Sequence, residues 1–272
     1  MDPVWSKSRR LRFERCRRGY FLHYFAAPAG NLSGAGRDLR LAAELKKLIS
    51  LDHYLYRLLR EVLHREFATG GAIDRVTAEL YRRWGIDRQF GRIRFYEEYY
   101  GVLSEDEIAG QGAEKLEKIV RALSAGELAD LLIECENRQH LPITTPLEFV
   151  LGDTTIFLAP VALISIDGSY RMLELGGSRM PEIAALQFFY VHSFRRIPPH
   201  AFSSHFYNFN GDTSVFRVED IDFTATVQAV SRESEEMAEA FAPEIIANNA
   251  YMGIPPTTSA CSNCVYRKLC AL

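Results

Sequence analysis

The sequence predicts a mixed α/β protein whose sheet is flanked by helices, and three features of its pattern support that fold class. Leucines and other apolar residues recur at helical spacing over about residues 38–68, and helical patterns continue to about residue 139. Short apolar runs separated by turn residues then replace the helical pattern, as expected for strands. Helical and strand patterns alternate after these runs, which is the order expected of a sheet covered by helices.

The first 140 residues are predicted to be almost entirely helical. Residues 8–27 form an amphipathic segment rich in aromatic side chains, and glycine and proline residues mark a loop over 28–36. We expect breaks in the helical region near Gly70–Gly71, Gly85 and Gly101, because glycine interrupts helices.

The strands are predicted from apolar runs and from the turn residues between them. The runs at 147–151, 154–165 and 169–175 are separated by Gly152–Asp153 and Asp167–Gly168, which predicts a three-stranded meander. A helix follows over 181–195, with Pro181 at a favourable position in its first turn. The remaining predicted elements are strands at about 202–209 and 213–218 around Asn210–Gly211–Asp212, a helix over about 221–248, and a loop at Pro255–Pro256.

Length and composition predict one domain over residues 1–272. The 272 residues are 47% hydrophobic and 25% charged, ordinary values for a soluble globular protein. No apolar run is long enough to cross a bilayer, and the first residues lack the apolar segment of a secretory signal. We therefore expect a cytoplasmic protein without membrane contact, divided into a helical part (1–140), a sheet-containing core (141–220), and a C-terminal helix with a cysteine cluster (221–272).

Positive charge is concentrated at the start of the chain, although the net charge of the whole is −3. The acidic residues among the first 18 are Asp2 and Glu14 alone. The basic residues of the same segment are Lys7, Arg9, Arg10, Arg12, Arg15, Arg17 and Arg18. One interpretation is an ordinary solvated surface, and the other is a local patch that binds phosphate groups.

Four of the five cysteines predict a metal centre that joins the two ends of the chain. Cys261, Cys264 and Cys270 follow a C-x2-C-x5-C pattern, which supplies three thiolates from one short loop. Cys16, in a basic and aromatic segment, is a better candidate for the fourth ligand than Cys135, which lies in an apolar helical stretch. Zinc usually takes paired C-x2-C knuckles and only one is present, so the pattern favours an iron–sulfur cluster and leaves zinc open.

The two ends of the chain resemble a known family. SRRLRFERCRRGYFLHYFA at residues 8–26 and CSNCVYRKLC at 261–270 are similar to the iron-staple nucleases of the RecB-like PD-(D/E)XK superfamily, among them the AddB-type subunits of helicase–nucleases. LKKLISL (45–51) and FYEEYYG (95–101) are similar to further family segments. The resemblance implies a restriction-endonuclease-like core sheet flanked by helices, a helical insert, a terminal four-cysteine [4Fe–4S] staple, and metal-dependent cleavage of DNA.

The nuclease motifs of that family are degenerate here. The family holds Mg²⁺ or Mn²⁺ with an aspartate on the second strand of the meander and an acidic residue on the third, followed by a lysine. In this sequence Val161 follows Pro160 at the aspartate position, and Glu174 fills the acidic position but is followed by Leu175 and Gly176. Valine cannot coordinate Mg²⁺ and one carboxylate is a weak site for it, so the resemblance implies a pseudo-nuclease.

The other positions of the family's site are only partly filled. Gln187 and Tyr190 lie near a Gln/Tyr pair of the family, with a spacing that is one residue short, while Tyr56 and Arg60 replace a glycine and a histidine. His64, one turn beyond Arg60, could reach a displaced site, although a partly buried helix histidine is the commoner interpretation. The candidate nucleic-acid contacts are Arg9, Arg10, Arg12, Arg17, Arg18 and Arg60.

Three functions are compatible with these features. The first is an iron–sulfur protein that binds DNA without cleaving it, or that supports a protein partner carrying catalysis. The second is a divergent nuclease that uses Glu174 with Mg²⁺ or Mn²⁺. The third is a scaffold or redox-sensing module in which the cluster controls assembly.

Overall fold

The computed structural model describes residues 3–31, 33–69, 72–135, 140–141, 143, 146–208, 212–240 and 258–270, with the backbone alone described at 133–135, 140 and 258. These residues form a mixed α/β fold of helices and two sheets, which confirms the predicted class at that level. None of their helices combines the length and the apolar character needed to cross a bilayer.

Helices dominate the first half of the chain. In chain order they are α1 (Lys7–Arg15), α2 (Arg17–Phe21), a π-helical turn (Leu22–Ala26), α3 (Ala27–Ala29), α4 (Arg37–Lys46), α5 (Leu51–Ala68), α6 (Ile73–Gln89), α7 (Tyr96–Tyr99), α8 (Glu105–Ala125) and α9 (Glu127–Cys135). The later helices are α10 (Met180–Arg195), α11 (Phe223–Glu239) and α12 (Arg267–Cys270), with 3-10 turns at Pro199–Ala201, Val218–Asp220 and Thr258–Ala260.

The strands are divided between two sheets. They are β1 (Val4–Trp5), β2 (His140–Leu141), β3 (Leu147–Leu151), β4 (Thr154–Leu158), β5 (Ala162–Ile166), β6 (Ser169–Leu175), β7 (Phe202–Tyr207) and β8 (Thr213–Phe216). The three-stranded sheet has the order β1-β4-β3, and the five-stranded sheet has the order β2-β5-β6-β7-β8. The β1–β4 and β6–β7 pairs are parallel, and the other pairs are antiparallel.

The middle run of the predicted meander is two strands rather than one. The run at 154–165 divides into β4 and β5 around Pro160, which has no N–H to donate to a neighbouring strand. β4 pairs with β3 whereas β5 pairs with β6, so the two halves belong to different sheets. The turn between β5 and β6 is confirmed: Asp167 and Gly168 have φ of +50° and +80°, the left-handed pair of a type I′ hairpin.

Several predicted boundaries shift in the structure. The helical pattern over 38–68 is interrupted after α4, and Ser50 restarts it by accepting the N–H of His53 with its hydroxyl at 3.3 Å. The break expected at Gly85 is wrong, because α6 continues through it with Val76 and Trp84 packed into the core. Outside the described residues lie the predicted features at Gly70–Gly71, Asn210–Gly211, 241–248 and Pro255–Pro256.

The five-stranded sheet separates two hydrophobic cores. Met172 on β6 packs into the first core, with Phe206 of β7 and side chains of the N-terminal helices, α10 and α11. Leu173 and Leu175 on the same strand pack into the second core, against α5, α6, α8 and α9. Successive β6 residues therefore point to opposite faces, as the period of a strand requires. Residues at the end of β6 consequently lie between the two helical layers.

Candidate metal centre, basic cleft and residual nuclease site

Cys16 lies at a break between two helices. α1 ends at Arg15 and α2 begins at Arg17, while Cys16 has an extended backbone with φ of −166° and ψ of 111°. Its Sγ accepts the N–H of Gly19 at 3.4 Å, so the thiol occupies the position of a helix N-cap. The backbone thus fixes a buried thiol at the start of α2.

The other three candidate ligands lie in one tightly turned segment. The N–H of Cys264 donates to the carbonyl of Cys261 at 3.2 Å, and the N–H of Cys270 donates to the carbonyl of Tyr266 at 3.3 Å. Cys270 is the last residue of α12. The C-x2-C-x5-C spacing therefore places the three cysteines on a single short loop.

The four thiols lie within electrostatic reach of one another. Burial raises the pKa of the Cys264 thiol first, and Cys16 and Cys261 raise it further. Burial also raises the pKa of Cys270, as do the other three thiols, whereas Arg18 opposes that shift. All four are free of disulfide bonds. The alternative ligand Cys135 ends α9, but its side chain lies outside the described residues.

The donor set is chemically suited to an iron–sulfur cluster. Four thiolates are the ligands of [4Fe–4S] clusters, and zinc also accepts them. Across the described ranges, no three or more histidine, cysteine, aspartate or glutamate side chains are arranged to hold a metal ion. The type and proximity of four thiols, one from the N-terminal helices and three from the C-terminal loop, therefore suit a cluster. Their side chains do not form a complete ligand set among the described residues.

Two tyrosines of α7 and its C-terminal end hold the cysteine loop in place. The hydroxyl of Tyr96 donates to the carbonyl of Ser262, and the hydroxyl of Tyr100 donates to the carbonyl of Val265, each at 2.6 Å. Tyr96 is buried, which fixes the loop against the helical layer. The FYEEYYG segment thus has a structural role beside the cysteines.

Cations of α12 lie over the rings of Tyr99 and Tyr100. The Arg267 guanidinium lies 3.9 Å from the ring centroid of Tyr100, and Lys268 Nζ lies 4.1 Å from that of Tyr99. The Tyr99 and Tyr100 rings also contact each other edge to face, at 5.0 Å. Both rings are therefore engaged in contacts within the protein.

A third contact joins the N-terminal helices to the cysteine loop. His23 Nδ1 lies 3.0 Å from the hydroxyl oxygen of Tyr266, whose side chain is fully buried. Burial, and then Arg12, Lys46 and Arg9, lower the pKa of His23 to about 3. The imidazole is therefore neutral near pH 7, and Nδ1 can accept the Tyr266 hydroxyl proton.

A basic cleft lies beside the cysteines. Its volume is about 440 Å³, and Cys16 and Cys264 form part of its wall. The cationic side chains that line it are Arg12, Arg15, Lys46, Lys47 and Arg57. No described aspartate or glutamate lines the cleft, although Lys47 pairs with Glu44 at 2.7 Å and Arg57 with Glu61 at 3.6 Å outside its wall. The nucleic-acid contacts predicted from the sequence did not include Lys46, Lys47 and Arg57. The adjacent residues Lys46 and Lys47 are the feature of the sequence that could have indicated a basic site here.

The cations of the cleft act on one another. Burial lowers the pKa of Lys46, and Arg12 and Arg9 lower it further, because like charges disfavour the protonated form. Arg12 Nε is buried and has no hydrogen-bond partner among the described atoms. An anion that entered the cleft would relieve this repulsion.

The arginines predicted to contact DNA divide into groups with different surroundings. Arg10 and Arg17 form ion pairs with Glu236 at 2.7 Å and 3.1 Å, so their charges are partly used within the protein. Arg18 is buried beside Cys270, and Arg9 stacks on the ring of Tyr24 at 4.4 Å. Arg12 lines the cleft, whereas Arg60 lies near Glu174.

Val161 occupies the position expected for the metal-binding aspartate, and its side chain and backbone are both engaged in the fold. Val161 is 2% exposed and belongs to the second hydrophobic core. Its N–H donates to the carbonyl of Leu173 at 2.7 Å, and its carbonyl accepts the Nδ1 proton of His64 at 2.7 Å. His64 is thus engaged with the β4–β5 connection.

Glu174 is buried beside cations from two helices. Its side chain is 8% exposed, and burial raises its pKa from 4.5 to about 8, while Lys7 and Arg60 lower it. Tyr56, whose hydroxyl donates to the carbonyl of Leu175 at 3.4 Å, has a pKa raised to about 12 by burial and then by Glu174. The carboxyl group is therefore mostly neutral at pH 7.

Lys7, at the start of α1, lies close to Glu174 although the two residues are far apart in the sequence. A Cβ on Gly177 would lie 2.9 Å from Lys7 Nζ, so the glycine leaves room for the ammonium group. Gly177 also has φ of +154°, a backbone conformation that side-chain-bearing residues rarely adopt. Sequence spacing contains no signal for this approach.

These surroundings do not fit a magnesium or manganese ion. Mg²⁺ prefers several oxygen ligands, yet within the described chain Glu174 supplies one carboxyl group that is mostly neutral at pH 7. Val161 offers no side-chain oxygen, and Lys7 and Arg60 bring positive charge towards Glu174. The residues therefore disfavour a divalent cation at this position.

The remaining candidates, Gln187 and Tyr190, are separated on α10. Gln187 is fully buried, and its Oε1 accepts the hydroxyl of Ser204 on β7. Tyr190 instead packs its ring against Phe149 and Phe194, at centroid distances of 5.7 and 5.6 Å. Both side chains thus have structural contacts.

Comparison with known proteins adds no assignment. No family model matches the chain, and no match was found among curated proteins or solved structures.

Proposed function

We propose that this protein is a non-cleaving DNA-binding member of the RecB-like PD-(D/E)XK nuclease superfamily, with a [4Fe–4S] cluster joining its two ends. The observation that carries the proposal is the cleft of about 440 Å³, which five cations and two of the four neighbouring cysteines line. A concentration of lysine and arginine in one groove, with no carboxylate among the described lining residues, is the electrostatic requirement for binding a phosphate backbone.

A cluster bound by the four cysteines would hold two walls of the cleft together. Cys16 would contribute one thiolate and Cys261, Cys264 and Cys270 the other three, and Arg12 and Arg18 oppose the burial that raises the pKa of Cys264 and Cys270. When bound, the cluster supplies covalent links between distant parts of the chain. Such links hold α1 and the cysteine loop together and so preserve the shape of the cleft.

The residual nuclease site supports binding without cleavage. Cleavage in this superfamily needs a hard cation that activates water, and the buried surroundings of Glu174 disfavour that cation. A protein of this kind positions DNA or supports a catalytic partner. The PD-(D/E)XK assignment itself is part of the proposal and depends on the resemblance of the two chain ends.

The test measures binding and cleavage together on anaerobically purified protein. Labelled single- and double-stranded DNA would be titrated by fluorescence anisotropy at several salt concentrations, with Mg²⁺, Mn²⁺ or chelator present. We expect salt-dependent binding and intact DNA in every condition. The double variant Arg12→Ala/Lys46→Ala should reduce the slope of log affinity against log salt by about 0.9 for each duplex phosphate that the variant no longer neutralises.

Two controls make the outcome decisive. Arg121→Ala removes an exposed arginine of α8 that lies outside the cleft, and it should leave affinity and slope unchanged. Glu174→Gln should have no effect on any nuclease activity observed. Absence of salt-dependent binding would refute DNA binding, and cleavage that Glu174→Gln abolishes would show that the site is active.

A further inference from the structure

A second pocket lies on one face of the five-stranded sheet, where β6 and β7 begin and β8 ends. Its volume is about 780 Å³, within the range of small-molecule sites. It shares no lining residue with the basic cleft. Arg171 and Glu174 are three positions apart on β6, so the pocket also lies on the face opposite Glu174.

The register of the strands places two arginines on either side of a hydroxyl group. Arg171 on β6 pairs with Ser203 on β7, and Phe216, the last residue of β8, pairs with Ser204. Arg217, the next residue, therefore lies opposite Ser203. Neighbouring strands are about 4.8 Å apart, so the two arginine backbones are roughly 10 Å apart. Side chains of that length can converge on one anion between them.

Both guanidinium groups direct positive potential into the pocket. Burial, and then Arg171 and Arg217, lower the pKa of His205 to about 4. Neither arginine forms an ion pair with a carboxylate in the part of the chain that the structure describes. His205 Nε2 lies 2.8 Å from Ser203 Oγ. In the neutral tautomer protonated at Nε2, the imidazole donates to Oγ and leaves the hydroxyl proton available between the two cations.

The rest of the wall indicates what the anion is attached to. Val215 provides exposed apolar surface, and Glu219 and Asp220 line the pocket beyond the arginines. Asp220 Oδ2 accepts the N–H of Arg217 at 2.8 Å, which fixes one carboxylate. Carboxylates there would repel a purely anionic ligand but accept hydroxyl or amino groups.

We propose that this sheet pocket binds a phosphate monoester of nucleotide size. Arg171 and Arg217 hold its phosphoryl group, Ser203 donates a hydrogen bond to it, and the apolar wall contacts the organic portion. The inference goes beyond the proposed function, since the cleft and the cysteines take no part in it. A free mononucleotide and the phosphorylated end of a DNA strand carry the same chemistry.

The test is isothermal titration calorimetry of the full chain with adenosine monophosphate, adenosine and inorganic phosphate. We expect saturable binding of the monophosphate, and affinity for adenosine lower by roughly 10- to 100-fold, since adenosine cannot form the charge-assisted hydrogen bonds. Arg171→Ala/Arg217→Ala should abolish the monophosphate signal, and Ser203→Ala, a smaller change, should weaken it. Arg12→Ala/Lys46→Ala in the cleft should retain it.

Oligonucleotides with and without a 5′-phosphate separate the two sources. A preference for the phosphorylated end that Arg171→Ala/Arg217→Ala removes would identify a strand end, and equal binding of both would identify the free nucleotide. No monophosphate binding in the wild type, or binding that disappears in the cleft variant and persists in both pocket variants, would overturn the proposal. Because the monophosphate assay uses no DNA, its failure leaves DNA binding by the cleft unaffected.

Discussion

Arg10 Nη1 on α1 lies 2.7 Å from Oε2 of Glu236 on α11, and this ion pair joins the two helices. The Arg10 side chain is 14% exposed and also pairs with Glu14 at 2.7 Å. An arginine that the sequence presents as part of a basic patch is therefore mainly a structural residue. The N-terminal cations divide between those that hold helices together and those that line the cleft.

Removal of Arg10 should lower stability without affecting DNA binding. We expect Arg10→Ala to reduce the free energy of unfolding by about 1–2 kcal/mol, because charge-assisted hydrogen bonds to Glu14 and Glu236 are removed. A double-mutant cycle with Glu236→Gln, followed by urea denaturation, would measure the coupling. Arg121→Ala, in an exposed pair with Glu117, is the matched control and should change stability little. A loss of DNA affinity equal to that of Arg12→Ala would contradict this division.

Loss of the Tyr100 hydroxyl should loosen the cysteine loop. Tyr100→Phe keeps the ring under Arg267 but removes the hydrogen bond to Val265, at a cost of about 1 kcal/mol. We expect faster loss of the cluster absorbance in air and a lower melting temperature. Tyr99→Phe is the control, since the Tyr99 hydroxyl makes no hydrogen bond within the described part of the chain. Equal behaviour of the two variants would exclude a role for the Tyr100 hydrogen bond.

Glu174 should make stability depend on pH. Its pKa is raised from 4.5 to about 8, so the folded protein binds more protons than the unfolded chain between these values. The stabilisation is complete below pH 4.5 and is lost as pH rises through 8. Lys7 and Arg60, which face the carboxyl group, oppose the shift, while Tyr56, with a pKa near 12, stays uncharged in this window.

Urea denaturation of wild type and Glu174→Gln across pH 4.5 to 8 checks this prediction. As pH rises, the free energy of unfolding of the wild type should fall by a few kcal/mol relative to that of Glu174→Gln. Glu117→Gln, at an exposed position on α8, should give a curve parallel to the wild type. Parallel curves for Glu174→Gln as well would show that Glu174 titrates normally.

Local features of the sequence predicted the fold class and most elements, whereas contacts between distant segments were not predictable. The Asp167–Gly168 hairpin and the long α5 follow from neighbouring residues alone. The division of the middle run at Pro160 depends on which strands pair, which no local pattern specifies. The cysteine spacing similarly identified candidate ligands, while the approach of Lys7 to Glu174 arises only from tertiary packing.

The central claim is that Cys16, Cys261, Cys264 and Cys270 hold one iron–sulfur cluster, and its most direct test is the iron and sulfide content of anaerobically purified protein. We expect about four irons and four sulfides per chain, as for a [4Fe–4S] centre, with both absent from Cys16→Ser and retained in Cys135→Ser. One zinc without sulfide, or a cluster that survives Cys16→Ser but not Cys135→Ser, would contradict the claim.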